Sequence, residues 1–292
     1  MKYGKSKVYF DGSHYIAIPP EAFSAGKSRK KPTEKRPPSD ANQRFDAAYR
    51  ESLSRPRRER KAAIMESLRD DFERPDELSA FVNANMERVK TNKIKRIVRL
   101  KRKLNLQEWN YFCTFTYDDQ LHTEETFRAK LANTLKHLVA RNGWKYIGVW
   151  ERSPDKQRLH FHGIFYIPKM IGTIEAVEDY STKSHRKQIT HVNSHFLKRF
   201  GRNDFRKIAG QNGPSQAARY ITKYLEKTGE RLVFGGKLPT YFVSDLLESD
   251  ILCPTGIDDK KAVLSDTFAC IKDGEYMGQV SPEVIKQMPK CN

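Results

Sequence analysis

From about Asp76 onward the chain alternates apolar and polar residues at helical spacing. In 88–104, Ile94, Ile97, Leu100 and Leu104 occupy one arc of a helical wheel, and Arg88, Lys95, Arg96, Arg99, Arg102 and Lys103 occupy the other. That pattern predicts an amphipathic helix with one positive face. The aromatic and β-branched run Trp109–Tyr117 favours a strand. Thr123 is suited to cap the next helix, whose apolar stripe is Phe127, Leu131, Leu135 and Leu138 and whose end is marked by Asn142-Gly143. Lys145–Glu151 and Leu159–Ile167 read as strands joined by a Ser153-Pro154-Asp155 turn, so an antiparallel hairpin is the economical pairing. The stretch from Pro168 to about Thr190 is polar and poorly patterned, as a surface excursion would be. Ser194 caps a predicted short helix ending at Gly201, Pro214 and Ser215 open another that Gly229 stops, and 231–243 suits a further strand. The order predicts an α+β fold, an antiparallel sheet with flanking helices.

The flanks read differently. Residues 27–61 combine Lys27, Arg29, Lys30, Lys31, Lys35 and Arg36 with Pro37-Pro38 and Arg55-Pro56-Arg57-Arg58. Apolar residues there recur with no period, which predicts a flexible basic arm. Expected boundaries are therefore a basic, largely flexible arm over 1–75, a basic helical region over 76–108, the α+β domain over 109–245, and a tail over 246–292 where periodicity fades.

Charge changes the picture most. Fifty-four Lys and Arg against 36 Asp and Glu leave a net +18. Such a surplus favours polyanions, because each neutralised phosphate releases condensed counterions. An acidic membrane surface would call for a basic amphipathic anchor or a lipid site. No apolar run approaches a membrane span and Met1–Phe10 has no signal-peptide core, so nucleic acid is the expected partner and the cytoplasm the expected location. Cys113, Cys253, Cys270 and Cys291 are widely spaced and form no C-x-x-C pair, which predicts free thiols.

Two clusters carry candidate chemistry. In Leu159-His160-Phe161-His162-Gly163, strand periodicity puts both histidines on one face, and Glu151 on the preceding strand shares a face with Ile147 and Val149. Two imidazoles and a carboxylate suit a hard or borderline divalent ion that keeps positions open for a substrate oxygen. On a helix, Tyr220, Lys223, Tyr224 and Lys227 share an arc, with Arg219 beside them as a phosphate contact. Ammonium groups next to a phenol favour the nucleophilic phenolate. Structural alternatives remain at each cluster: a rim carboxylate paired with Arg152 or Arg158, and tyrosines that merely pack.

Taken in order, Phe112-Cys-Thr-Phe-Thr116, Leu159-His-Phe-His-Gly163 and Tyr220-Ile-Thr-Lys-Tyr224 resemble the HUH endonucleases, specifically the two-tyrosine rolling-circle replication initiators of plasmids and single-stranded DNA phages. The resemblance covers roughly 109–243. It implies that His160, His162 and Glu151 hold Mg²⁺ or Mn²⁺ against a scissile phosphate. One of Tyr220 and Tyr224 would form a 5′-phosphotyrosyl link and leave a 3′-OH primer, with Lys223 or Lys227 adding positive charge. It further implies single-stranded and origin DNA as partners. No G-x-x-x-x-G-K-[ST] motif is present, so a host helicase would unwind and a host polymerase extend. An HUH transposase or relaxase, a non-catalytic nucleic-acid-binding module and a metal-water phosphodiesterase are the alternatives.

Overall fold

The computed structural model describes residues 3–20, 39–153, 157–181, 185–208, 232–255 and 261–292. In chain order the elements are β1 (Tyr3–Phe10), β2 (Tyr15–Ile18), α1 (Asp40–Ser52), α2 (Arg60–Ser67), α3 (Pro75–Asn105), β3 (Tyr111–Thr116), α4 (Glu124–Asn142), β4 (Lys145–Arg152), β5 (Leu159–Tyr166), β6 (Ile174–Ser181), β7 (Arg186–Asn193), α5 (Ser194–Phe200) and β8 (Asn203–Lys207). There follow β9 (Val233–Gly235), β10 (Tyr241–Leu246), β11 (Ile251–Thr255), β12 (Lys261–Leu264), β13 (Ala269–Lys272), β14 (Glu275–Gln279), α6 (Pro282–Gln287) and β15 (Lys290–Cys291). The mixture of helices and antiparallel sheets is the expected α+β class. No helix among the described residues is long and apolar enough to cross a membrane.

The chain divides into two compact units, one of Met1–Leu100 with Val243–Pro289 and one of Lys101–Phe242 with Lys290–Asn292. The first holds a sheet in the order β11-β12-β2-β1-β10-β13-β14. It also holds a helical cluster in which Phe45, Ala48, Ile64, Leu68, Leu78 and Val82 are buried together.

The second unit is built on the sheet β8-β3-β5-β4-β9. Its strands pair antiparallel, and the register sets Thr114 against His162, Phe115 against Phe161, and Glu151 against His160. Alternation then sorts the side chains. Cys113, Phe115, Trp150, Phe161, Phe165 and Phe205 enter one core with Phe127, Leu131, Leu135 and Leu138 of α4 and Phe196 and Phe200 of α5. Both ends of α4 are fixed locally. Thr123 and Thr126 form a reciprocal capping box, and Gly143 takes a left-handed φ of 69° at the C-cap.

Gly148, opposite Gly163, makes room for the Phe161 ring, since a Cβ there would lie 2.1 Å from that ring. Gly148→Ala should therefore lower the unfolding free energy by about 1–3 kcal/mol, read as an earlier urea midpoint. An unchanged midpoint would show that Phe161 yields without cost.

Several expectations need correction. Residues 3–18 and 40–67 form strands and helices where a flexible arm is predicted, while 21–38 lie outside the described residues. The helices there bury few apolar residues, Phe45, Ala48 and Ile64, too few to show a period against so many charges. The excursion after Pro168 contains the β6–β7 hairpin, whose Val177, Tyr180 and Ile189 are exposed, so no buried face betrays it by alternation. Asn193, not the expected Ser194, caps α5, accepting from the backbone N–H groups of His195 and Phe196. The single strand expected over 231–243 is two, β9 and β10, with Gly236 at a φ of 82° between them. The tail beyond 246 adds strands to the first unit. The predicted helix from Pro214 to Gly229 lies outside the described residues.

Candidate active site

The face of the β8-β3-β5-β4-β9 sheet opposite the aromatic core carries the polar residues. Cross-strand rows can be read from the register: Val149, His162, Thr114 and Asp204 form one, and Glu151, His160 and Thr116 form the next. Phe112 lies on this face too, its ring stacked at 6.4 Å from that of His162. The strand Tyr111–Thr116 alternates Thr with Cys and Phe as β5 alternates His with Phe. Pairing the two strands brings hydroxyls against imidazoles.

Those hydroxyls hold the rings. Thr116 Oγ1 lies 2.7 Å from His160 Nδ1, and Thr114 Oγ1 lies 3.0 Å from His162 Nδ1. A threonine hydroxyl both donates and accepts, so it serves either imidazole tautomer. When Nδ1 accepts from threonine, Nε2 carries the proton, and His162 Nε2 then donates to Glu151 Oε2 at 3.2 Å. When Nδ1 donates to threonine, Nε2 offers its lone pair to a metal, the usual arrangement behind a ligating histidine. Burial lowers the His160 pKa to about 4, reinforced by the neighbouring His162 ring and the Arg158 and Arg202 guanidinium groups and opposed by Glu151. At neutral pH that ring is neutral and competent as a donor.

The donor chemistry thus fits a divalent ion. The side chains do not stand as a closed ligand set: among the described residues no group of three or more His, Cys, Asp or Glu side chains is gathered as a metal cluster. His162 and Glu151 meet directly, and His160 lies opposite Glu151 in the register. The two arginines that could have claimed Glu151 have other partners, Arg152 pairing with Glu124 and Arg158 with Asp119 at 3.1 Å.

The other predicted residues are placed unevenly. Tyr220, Tyr224, Lys223, Lys227 and Arg219 lie outside the described residues. On α3, Lys95, Arg96 and Arg99 are exposed and Arg102 and Lys103 are partly buried. The amphipathic reading of α3 is corrected in part, since Leu100 and Leu104 are buried but Ile94 is 52% exposed. The expectation that its basic face lacks protein partners fails at two positions. Arg88 donates to Asp46 Oδ1 at 2.6 Å and to Asn85 Oδ1 at 2.8 Å. Lys103 donates to the Leu238 carbonyl at 2.9 Å, and burial lowers its pKa. Both bind their own unit.

Thr114 and Thr116 as ring anchors, and Arg158 and Arg202 as charges acting on His160, are not singled out by the sequence reading. The threonines carry a signal, a Thr-x-Thr matching His-x-His in period. Arg158 shares the period of His160 and His162. Arg202 has no signal, because its place depends on a strand of five residues, β8.

All four cysteines are free thiols, as expected, and burial raises the Cys113 pKa well above its usual value. No curated protein and no solved structure matches the chain significantly. Residues 110–229, which contain the threonine strand, Glu151, both histidines and the tyrosine segment, match the family model of the ORF2-type replication-associated protein, a match that supports a Rep-type replication initiator.

Proposed function

We propose that this chain initiates rolling-circle replication by nicking single-stranded DNA with a tyrosine nucleophile and later rejoining the ends. The observation that carries this reading is the Glu151–His162–His160 face, its imidazoles held by Thr114 and Thr116, inside the segment that matches a replication-associated family.

Tyr220 Oη attacks phosphorus, the bond from phosphorus to the 3′ oxygen breaks, and that oxygen leaves as a 3′-OH after taking a proton. The product is a 5′-phosphotyrosyl link, and no bond energy is lost to water. Attack by a 3′-OH on the same phosphorus reverses the step and releases the tyrosine. Tyr224 provides a second acceptor when the circle is complete. Mg²⁺ or Mn²⁺ at His160, His162 and Glu151 would supply Lewis-acid neutralisation of the phosphate oxygens. The protein's own share is to present neutral imidazole nitrogens in one orientation and to place Lys223 or Lys227 beside the phenol, where positive charge favours phenolate. The exposed Lys95, Arg96 and Arg99 of α3 add phosphate contacts for origin DNA. Host helicase and polymerase complete the process in the cytoplasm.

The test is a denaturing gel of the protein incubated with an end-labelled single-stranded DNA library, with Mn²⁺ or with chelator. A metal-dependent protein–DNA band resistant to denaturation is the expected result. Metal-dependent cleavage without a band would replace this reading by a metal-water phosphodiesterase. DNA binding with neither cleavage nor band would leave only a binding module.

A further inference from the structure

The row of the sheet that holds His160 does not end at Thr116. The backbone N–H of Thr116 donates to the Arg202 carbonyl at 2.8 Å, and the β3–β8 register that follows sets Phe115 against Asn203 and Thr114 against Asp204. Arg202 therefore continues the row Glu151–His160–Thr116 onto the next strand. Along β5 the same face continues in the other direction, because Arg158 precedes His160 by two residues. Two guanidinium groups thus flank His160, one along its own strand and one across the sheet. Both are close enough to act electrostatically on that imidazole.

Their surroundings differ in a way that suits a shared task. Arg158 is preorganised: its guanidinium lies 4.8 Å from the Tyr117 ring centroid and donates to the Tyr117 carbonyl, and its side chain is 29% exposed. Arg202 is 57% exposed and reaches Asp179 of β6. The carboxylates on these arginines, Asp119 and Asp179, make ion pairs at the surface, which exchange readily for another anion. A planar fork matches two phosphate oxygens at once, which an ammonium does not.

We propose that Arg158 and Arg202 are the phosphate-holding residues of this site, gripping the substrate backbone on two sides of the imidazole pair. This rests on the nuclease reading for the identity of the substrate. It assigns the positioning of DNA to the sheet itself, leaving Lys223 and Lys227 to the nucleophile.

The experiment is a salt titration of affinity, by fluorescence anisotropy, for a labelled single-stranded oligonucleotide with chelator present, so that nothing is cleaved. Each lost phosphate contact should reduce the slope of log affinity against log salt by about 0.7. Arg202→Ala should show that reduction, and Arg202→Lys should restore most of it. Lys130→Ala is the control: it removes the same charge from an exposed position on α4, the helix packed on the opposite, aromatic face. Arg158→Lys keeps the charge and loses the fork, so its slope should hold while KM for nicking rises at unchanged kcat. Equal slopes for the wild type and Arg202→Ala, or equal losses in Arg202→Ala and Lys130→Ala, would overturn the proposal. The two readings fail separately. Absence of a covalent band in the wild type sinks the nuclease and leaves the slopes to be read, whereas a normal band with an unaltered Arg202→Ala slope sinks the arginines alone.

Discussion

His160→Ala or His162→Ala should remove metal-dependent strand cleavage, by about 10²–10³-fold or more, while leaving single-stranded DNA affinity within a few-fold of wild type. The separation follows from what each ring touches. Their Nδ1 atoms are held by Thr116 and Thr114, and Glu151 stands at Nε2 of His162, so the rings belong to a small polar cluster and not to the aromatic core. Truncating either leaves the packing of Phe115, Phe161 and Phe165 intact. Thr116→Val extends the series: it keeps shape but removes the hydroxyl that orients His160, and should cost about 10–100-fold in Mn²⁺ affinity. Titration calorimetry with Mn²⁺ beside single-turnover cleavage measures both effects. Cleavage at the wild-type rate in both histidine variants would show that this face is not the reaction centre.

The second large effect concerns the nucleophile. Tyr220→Phe removes one oxygen and should eliminate the first covalent attachment altogether, because phenylalanine has nothing with which to attack phosphorus. Tyr224→Phe should still form the attachment but fail to transfer the strand to a second acceptor. A denaturing gel with a single-turnover oligonucleotide and then a second, differently labelled one reads both steps. Attachment that persists undiminished in Tyr220→Phe and vanishes in Tyr224→Phe would exchange the two roles.

How much of this could be read directly from the residues varied with the physics of each element. The helix Glu124–Asn142 and the strands on either side of it were legible because each buries a regular face. Thr123 and Asn142-Gly143 mark the helix ends chemically, and aromatic residues at alternate positions mark β3 and β5. The hairpin Ile174–Asn193 was not legible, since its Val177, Tyr180 and Ile189 point to solvent and leave no periodic burial to detect. The N-terminal strands escaped for a different reason. Their sheet is completed by β10, β12 and β13, more than two hundred residues away, and short strands such as Tyr15–Ile18 owe their existence to that pairing.

The amino-acid sequence by itself determined the periodicities: which residues of β4 and β5 share a face, where α4 begins and ends, and which side chains could serve as ligands or nucleophiles. These are local properties, set by backbone geometry within a few residues. The tertiary structure alone decided the neighbours. It set Thr116 beside His160, carried that row across β3 to Arg202, and turned Arg88 toward Asp46 and Lys103 toward the Leu238 carbonyl. A strand's own sequence states a period of two but not the identity or register of its partner. Which hydroxyl orients an imidazole, and which arginine lies near it, are therefore settled only when distant strands pair.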